Sequence, residues 1–265
     1  MTNMIRADIY RLLRGKALYI TFAVLLLLHV LVIGVGAVGG INFGNTWEDV
    51  GIEAPVIGFD GLNSAALLYT RLDNTVFFLL PLIIAASVAI FTNDTVKNDI
   101  AWGISRTRLY LSKLLLSAGL CVLLVLFYMA TGMLMATILR GFGGPAPAGY
   151  WLNLFQTVGA QLFVMLALTC LGVFMAFAFR CSSIVTTVYI VFCMAPIMII
   201  VFLAETLDSR LIRLLDFDLM FTINRLGFLN QLETRVILTA FGVGTVYILA
   251  TTVGGIALFK RAEIK

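Results

Sequence analysis

Long apolar runs separated by short charged segments dominate the sequence. Six of these runs predict membrane-spanning helices, because about 17–25 apolar residues are needed to cross a bilayer core as a helix. The predicted spans lie near residues 17–38, 74–91, 114–139, 154–179, 184–204 and 236–259. This pattern predicts an all-α integral membrane protein, in which residues 1–265 form a single six-helix transmembrane domain.

The first sixteen residues carry two stripes at helical spacing. The apolar stripe consists of Met4, Ile5, Ile9, Leu12 and Leu13, and the basic stripe of Arg6, Arg11 and Arg14. One interpretation is a helix that lies in the membrane interface with its arginines toward lipid headgroups. The other is that these residues are the solvated start of the first span.

Three connecting segments also have predictable structure. Residues 62–72 are either a short outer-surface helix or the start of the second span. The glycine- and proline-rich stretch Gly141–Pro147 predicts an irregular turn. Residues 205–235 predict two short helices on the outer surface or dipping into the bilayer, and the first has one helical face of Leu207, Leu211, Leu214 and Leu215.

Composition and charge support a membrane protein of defined orientation. Hydrophobic residues make up 61% of the chain and charged residues 12%, against about 45–50% and 25% in soluble domains. With both termini in the cytoplasm, the inner segments would carry 12 of the 18 Lys and Arg residues but 4 of the 14 acids. Because Lys and Arg favour the cytoplasmic side, the distribution of the basic residues indicates this orientation. The net charge of +4 is therefore no sign of a nucleic-acid partner, and we expect contact with membrane lipids instead.

Catalytic chemistry is sparse in the predicted spans. They contain no Asp, Glu, Lys or Arg, and the single histidine, His29, cannot build a multi-histidine zinc site. We interpret His29 as a hydrogen-bonded packing residue, with a Ser87–His29 dyad as a weaker alternative. No phosphate-cradling Gly-x-x-x-x-Gly-Lys-Ser/Thr sequence occurs, so ATP and Mg²⁺ would have to bind a separate chain.

The charged segment between the second and third spans has a pattern of its own. Val96, Ile100 and Ile104 fall at i, i+4 and i+8, which predicts one apolar stripe on a short helix. Asn93 or Asp94 can cap its start, and Gly103 suits its end. Ser105 or Thr107 can then cap the long helix that follows.

This segment resembles a known family. The sequence Gly-Ile-Ser-Arg-x-x-x-Tyr-Leu-Ser-Lys-Leu from Gly103 to Leu114, preceded by Lys97-Asn98, resembles the first cytoplasmic loop of ABC-2 type exporter permeases. It is most similar to the loop of bacitracin and lantibiotic self-protection exporters. The chain departs from the family at Asp94-Thr95, where a Gly-Thr pair is common.

The resemblance implies a coupling helix that docks on an ATP-hydrolysing subunit. The residues of this segment that we predict at that contact are Asp94, Lys97, Asp99, Ile100, Trp102, Gly103, Ile104 and Arg106. Trp102 is the expected anchor, because large aromatic side chains often dominate the energy of an interface. The resemblance identifies no catalytic, metal-binding or substrate-binding residue on this chain.

The expected function is therefore that of the permease subunit of an ATP-driven exporter in a bacterial cell membrane. Two ATPase subunits and a second copy of the permease, or a similar permease, would complete it. The expected cargo is an amphipathic antimicrobial peptide or a lipid-like molecule. The alternatives are a non-transporting scaffold or sensor subunit and, more remotely, an intramembrane enzyme.

Overall fold

Helices make up nearly all of the computed structural model, which describes residues 2–34, 60–92, 95–228 and 234–261. No strand occurs within these ranges. The helices are α1 (Thr2–Arg14), α2 (Lys16–Gly34), α3 (Gly61–Thr70), α4 (Leu72–Thr92), α5 (Thr95–Ala101), α6 (Arg106–Arg140), α7 (Tyr150–Phe179), α8 (Ser182–Thr206), a 3₁₀ helix (Ser209–Phe217), α9 (Leu219–Phe228) and α10 (Thr234–Arg261). Within α4, a 3₁₀ turn opens the helix and a π-helical turn, Ile84–Val88, follows Pro81 closely.

The helices long and apolar enough to cross a membrane agree with the predicted spans. In the described part of the chain these are α4, α6, α7, α8 and α10. The pair α1 and α2, bent by 59° where they meet, supplies a sixth candidate. The predicted all-α, membrane-spanning class is thus confirmed, with five or six candidate spans. The last four residues of the predicted first span lie outside the described residues.

Aromatic side chains from four helices meet in the core. The Phe177 ring lies at the centre, with ring centroids 4.9 Å from Tyr110, 4.9 Å from Phe259 and 5.2 Å from Phe91. All three contacts are edge-to-face, the arrangement that aromatic quadrupoles favour. This cluster fixes α4, α6, α7 and α10 against one another.

The two ends of the bundle differ in what they carry. The first turns of α6 lie beside α1, α5 and the last turn of α10, and we call this the α5 end. At the opposite end, α3 pairs with the turn after α6 through the Gly61 and Leu62 amides, which donate to Gly141 and Phe142 at 2.9 Å. The 3₁₀ helix and α9 also lie there, and we call this the α9 end. The irregular turn predicted at Gly141–Pro147 is confirmed.

The predicted apolar stripe of α1 is divided between the bundle and the surface. Met4 and Leu12 do pack on the bundle, but the residue between them on that face is Asp8, which is 8% exposed. Ile9 and Leu13 are 44% and 50% exposed. The reason is an ion pair of Asp8 inside the bundle, described below, which sets the rotation of α1.

The two short helices predicted over residues 205–235 are present, but the leucine face predicted for the first is wrong. That helix is of the 3₁₀ type, with about three residues per turn. Only Leu215 of the predicted face is buried, whereas Leu207, which precedes the helix, is 75% exposed. Asp218 then caps α9, since its carboxylate accepts from the Phe221 amide at 2.8 Å.

Gly255 generates a test of the packing between α6 and α10. An added Cβ there would overlap the Tyr110 ring and hydroxyl, which donates to the Thr251 carbonyl. Gly255→Ala should lower the free energy of unfolding by about 1–3 kcal/mol, as overpacking does. The measurement is the unfolding transition of the purified chain in lipid nanodiscs.

Gly242→Ala on the same helix is the matched control. An added Cβ at Gly242 has no neighbour within 4 Å, so the better helix propensity of alanine should leave the protein unchanged or stabilise it by up to about 1 kcal/mol. Equal unfolding transitions for the two variants would contradict the close approach at Gly255.

Candidate functional site

The segment between α4 and α6 forms the short helix that its pattern predicts. Val96 is 3% exposed, and Ile100 and Ile104 are half-buried against the core. The predicted apolar stripe therefore faces the bundle, and this prediction is confirmed. Two residues before the helix, including the predicted partner contact Asp94, lie outside the described residues.

Helix α5 terminates at Gly103 in a Schellman motif, which is formed by two backbone hydrogen bonds. The Gly103 amide donates to the Ile100 carbonyl at 2.9 Å, and the Ile104 amide donates to the Asp99 carbonyl at 3.2 Å. Gly103 has φ +81°, in the left-handed region that glycine enters without a side-chain clash. The helix end predicted at this residue is confirmed.

Ser105 starts α6 immediately after this turn. Its backbone is extended, and its side chain accepts from the Arg108 amide at 3.4 Å, as an N-cap residue does. Three residues, Trp102 to Ile104, thus separate the last residue of α5 from the cap of α6. The junction between α5 and α6 is short and hydrogen-bonded on both sides.

The outward face of α5 is exposed and ends in a large aromatic side chain. Trp102 is 86% exposed, and Lys97, Asn98 and Ala101 are also exposed. A tryptophan at this exposure leaves most of its apolar surface uncovered. Of the predicted contact residues, Lys97 and Trp102 lie on this exposed face, and Ile100 and Ile104 lie on the opposite, packed one.

Arg106 is oriented toward the end of the chain. Its guanidinium Nη1 donates to the Phe259 carbonyl at 3.1 Å and to the Lys260 carbonyl at 2.9 Å. Carbonyls in the last turn of a helix lack intrahelical donors and carry the negative end of the helix dipole. Arg106, predicted to contact a partner, here joins the start of α6 to the last turn of α10.

Behind α5, a buried ion pair joins α1 to α6. Lys113 Nζ lies 2.6 Å from Asp8 Oδ1, and the Lys113 side chain is 2% exposed. Arg11 Nη2 lies 3.5 Å from the same oxygen. We call Asp8, Arg11, Asp99 and Lys113 the ion cluster.

Asp99 completes the cluster from α5. Burial raises its pKa above the usual range for an aspartate, and the nearby charges of Lys113 and Arg11 oppose that rise. Asp8 thus contacts two cations, and the charges of this group also act on Asp99 in the neighbouring helix. Asp99, predicted as a partner contact, is half-buried and belongs to this cluster as much as to the outer surface.

Sequence reasoning missed the ion cluster. In the sequence, Lys113 is part of the motif that immediately precedes the third predicted span, and no partner is predicted for it or for Asp8. A signal was present, because Asp8 interrupts the buried positions Met4 and Leu12 at a spacing of four residues. An acidic residue inside such a stripe indicates a buried cationic partner.

His29 occupies the interior of the membrane region, as a packing residue. Its Nδ1 lies 3.2 Å from Thr131 Oγ1, and its ring centroid lies 4.8 Å from that of Tyr128. Ser87 Oγ lies 3.4 Å from Ser117 Oγ instead of meeting His29. The alternative Ser87–His29 dyad is therefore not formed. Over the described ranges, no three His, Cys, Asp or Glu side chains gather as a metal site would require.

Comparisons of this chain with protein-family models and with curated protein sequences find no match. The geometry of the α5 end and the resemblance in its loop together support the function proposed below.

The ion pair generates a prediction about stability. Lys113→Met should lower the free energy of unfolding by about 3–5 kcal/mol, because it leaves the Asp8 carboxylate buried without its partner. The double variant Asp8→Leu with Lys113→Met should recover most of that loss, since it removes both charges. Unfolding in mixed micelles of denaturing detergent measures all three free energies.

Lys260→Met is the control, because Lys260 is an exposed lysine at the same end of the bundle. It should change the free energy of unfolding by less than about 1 kcal/mol. Losses of similar size for Lys113→Met and Lys260→Met would show that the ion pair does not hold α1 in place.

Proposed function

We propose that this chain is the membrane-spanning permease subunit of an ATP-driven ABC exporter, and that α5 docks on a separate ATPase subunit. The observation that carries the proposal is the contrast between the two faces of α5. One face is packed on the bundle through Val96 and Ile100, and the other presents Trp102 at 86% exposure. A docking helix needs an exposed side chain that binds the partner and an opposite face that is packed on its own protein.

The packed face of α5 would allow a force on this helix to reach the rest of the bundle. Val96 and Ile100 pack α5 on the bundle, the ion pair of Asp8 and Lys113 joins α1 to α6, and Arg106 links the start of α6 to α10. A displacement of α5 by a partner would therefore move these helices together, as a rigid body. A flexible loop in the same position would absorb the displacement instead.

The exposed face of α5 combines an aromatic side chain with polar neighbours, as small protein interfaces do. Trp102 is the aromatic anchor, and the exposed side chains of Lys97 and Asn98 beside it would form a polar rim. Anchors of this kind carry a large part of the binding energy. The proposed partner therefore has an apolar pocket that accepts the indole ring.

The proposed orientation places the α5 end in the cytoplasm of a bacterial cell. The chain would then cross the membrane six times, with α1 in the interface and both termini inside. The charge asymmetry, with 12 of 18 basic residues in the inner segments, supports this orientation. ATP and Mg²⁺ would bind the partner subunit.

The surface of the bundle supports an assembly of two permeases. Helices α8 and α10 expose large apolar side chains along most of their length, among them Met198, Phe202, Val246 and Val253. In a membrane these faces meet either lipid or a second permease. An apolar surface of this kind suits an amphipathic peptide or a lipid-like cargo better than a sugar or an ion.

The docking proposal predicts the effect of removing the anchor. Trp102→Ala should weaken binding of the ATPase subunit by about 2 kcal/mol or more, which is roughly thirtyfold in affinity. Substrate-stimulated ATPase activity of the reconstituted complex should fall with it. The measurements are co-purification of the ATPase from native membranes and activity in proteoliposomes.

Trp151→Ala is the matched control, because Trp151 is an exposed tryptophan in the first turn of α7, at the other end of the bundle. It should leave ATPase binding unchanged. If no ATPase co-purifies with the wild-type chain, the proposed function fails. If an ATPase binds both variants equally well, docking occurs elsewhere.

The orientation has its own test in single cysteines. The four native cysteines are first replaced, since Cys181 is exposed. Asp208→Cys should react with an impermeant thiol reagent in intact cells, and Ala101→Cys should react only after lysis, because both side chains are exposed but lie at opposite ends of the bundle. The reverse pattern would place the α5 end outside and exclude a cytoplasmic ATPase contact.

A further inference from the structure

Buried polar side chains hold α9 against the rest of the bundle. Asn224 Nδ2 donates to Asp73 Oδ2 at 2.7 Å, which joins α9 to the start of α4. Gln161 Nε2, on α7, donates to the Tyr69 carbonyl at 2.8 Å and to the Ile223 carbonyl at 2.9 Å. Gln161 is 0% exposed and Asn224 is 8% exposed.

This cluster has more acceptors than donors. Asp73 Oδ1, Asn224 Oδ1 and Gln161 Oε1 are all buried, and none has a hydrogen-bond partner among the described residues. Rotating either amide would not help, because its oxygen would then face the carboxylate of Asp73 or two backbone carbonyls. The three oxygens therefore lack partners because too few donors lie within reach, whichever way the amides are oriented.

The cluster also contains a carboxylate that forms no ion pair. Asp73 has no cationic nitrogen within ion-pair distance in the part of the chain that the structure describes, although Arg71, two residues earlier, is near enough for its charge to act on the carboxylate. Asp8 at the opposite end differs in this respect, since Lys113 Nζ lies 2.6 Å from it. A buried charge without a partner is costly.

We propose that Asp73, Asn224 and Gln161 form a binding site for a monovalent cation. Asn224 Nδ2 contacts Asp73 Oδ2, and the free oxygen of each side chain belongs to the same carboxylate or amide group as its contacting atom. Gln161 donates to the carbonyl of Ile223, the residue before Asn224, so its free oxygen lies beside the same turn of α9. One carboxylate with two amide oxygens matches a single positive charge. A divalent ion would leave an excess positive charge in a buried site, and such ions prefer several carboxylates.

Two sources supply this chemistry, an alkali metal ion and the ammonium group of an organic molecule. Both are small, carry one positive charge and bind oxygen acceptors. A water molecule could donate hydrogen bonds to two of the oxygens, but it would leave the charge of Asp73 unbalanced. The site therefore favours a cation over a neutral donor.

The test is thermal unfolding of the full chain in nanodiscs of uncharged lipid. The probes are NaCl, KCl and methylammonium chloride, at an ionic strength held constant with N-methylglucamine chloride, whose cation is too large for the site. The midpoint should rise with at least one probe and saturate, because a ligand that binds only the folded state stabilises it. Saturation by an alkali ion or by methylammonium identifies the source.

Asp73→Asn should weaken the apparent affinity by about thirtyfold or more, since it removes the only charge of the site. Without a probe cation the variant should be at least as stable as the wild type, because no unpaired charge is then buried. The variant should thus be at least as stable as the wild type without a probe cation but less stable than it at a saturating concentration. Damage to the fold would instead lower the stability of the variant under both conditions. Asp218→Asn is the control, since that carboxylate is already used to cap α9.

Several results would overturn the proposal. One is a wild-type midpoint that no probe cation shifts, even if it changes with pH, which would indicate a proton or water at Asp73. Another is an equal response to the cations in Asp73→Asn and the wild type. Loss of the response in Asp218→Asn but not in Asp73→Asn would place the cation elsewhere.

Discussion

The buried ion pair between Asp8 and Lys113 is the constraint on which the α5 end depends. Two charges 2.6 Å apart, with the lysine 2% exposed, attract each other strongly where water cannot screen them. Neither can be withdrawn alone without leaving the other charge buried. Helix α1 must therefore stay on α6 in the rotation that directs Asp8 inward, and its apolar residues Ile9 and Leu13 face outward as a result. The charges of Lys113, Asp8 and Arg11 also act on Asp99, so that the electrostatics of α5 depend on residues of α1 and α6.

The sequence predicts the local features of this structure well. The limits of the long helices follow from apolar length, and the end of α5 at Gly103 and the cap at Ser105 follow from backbone rules that act within a few residues. What could not be predicted depends on contacts between distant residues. Asp8 and Lys113 are 105 positions apart, and Asp73 and Asn224 are 151 apart. A sequence pattern shows that a polar residue lies on a helical face, but the partner that allows its burial is chosen by tertiary packing.

The two ends of the bundle differ in how far their buried polar groups are balanced by partners. At the α5 end the charges are balanced, and the balance makes the packing around α5 stable without any added ligand. At the α9 end, donors are too few, and the oxygens of Asp73, Asn224 and Gln161 are left without partners. A cluster whose charges are balanced gains little from a ligand, whereas buried oxygens without partners gain free energy when a ligand supplies the missing contacts.

Helix α4 connects the two ends. It begins at the 3₁₀ turn that holds Asp73 and ends just before α5. Between them lies the π-helical turn Ile84–Val88, where Ser87 faces Ser117 across a distance of 3.4 Å. A π-helical turn carries one residue more than an α-helical turn and is a place where a helix can change its rotation. In the proposed exporter, a movement of α5 would reach this turn first and Asp73 last. The occupancy of the cation site and the position of the docking helix would then be linked through one helix, and each would bias the other, since coupling between two sites is reciprocal.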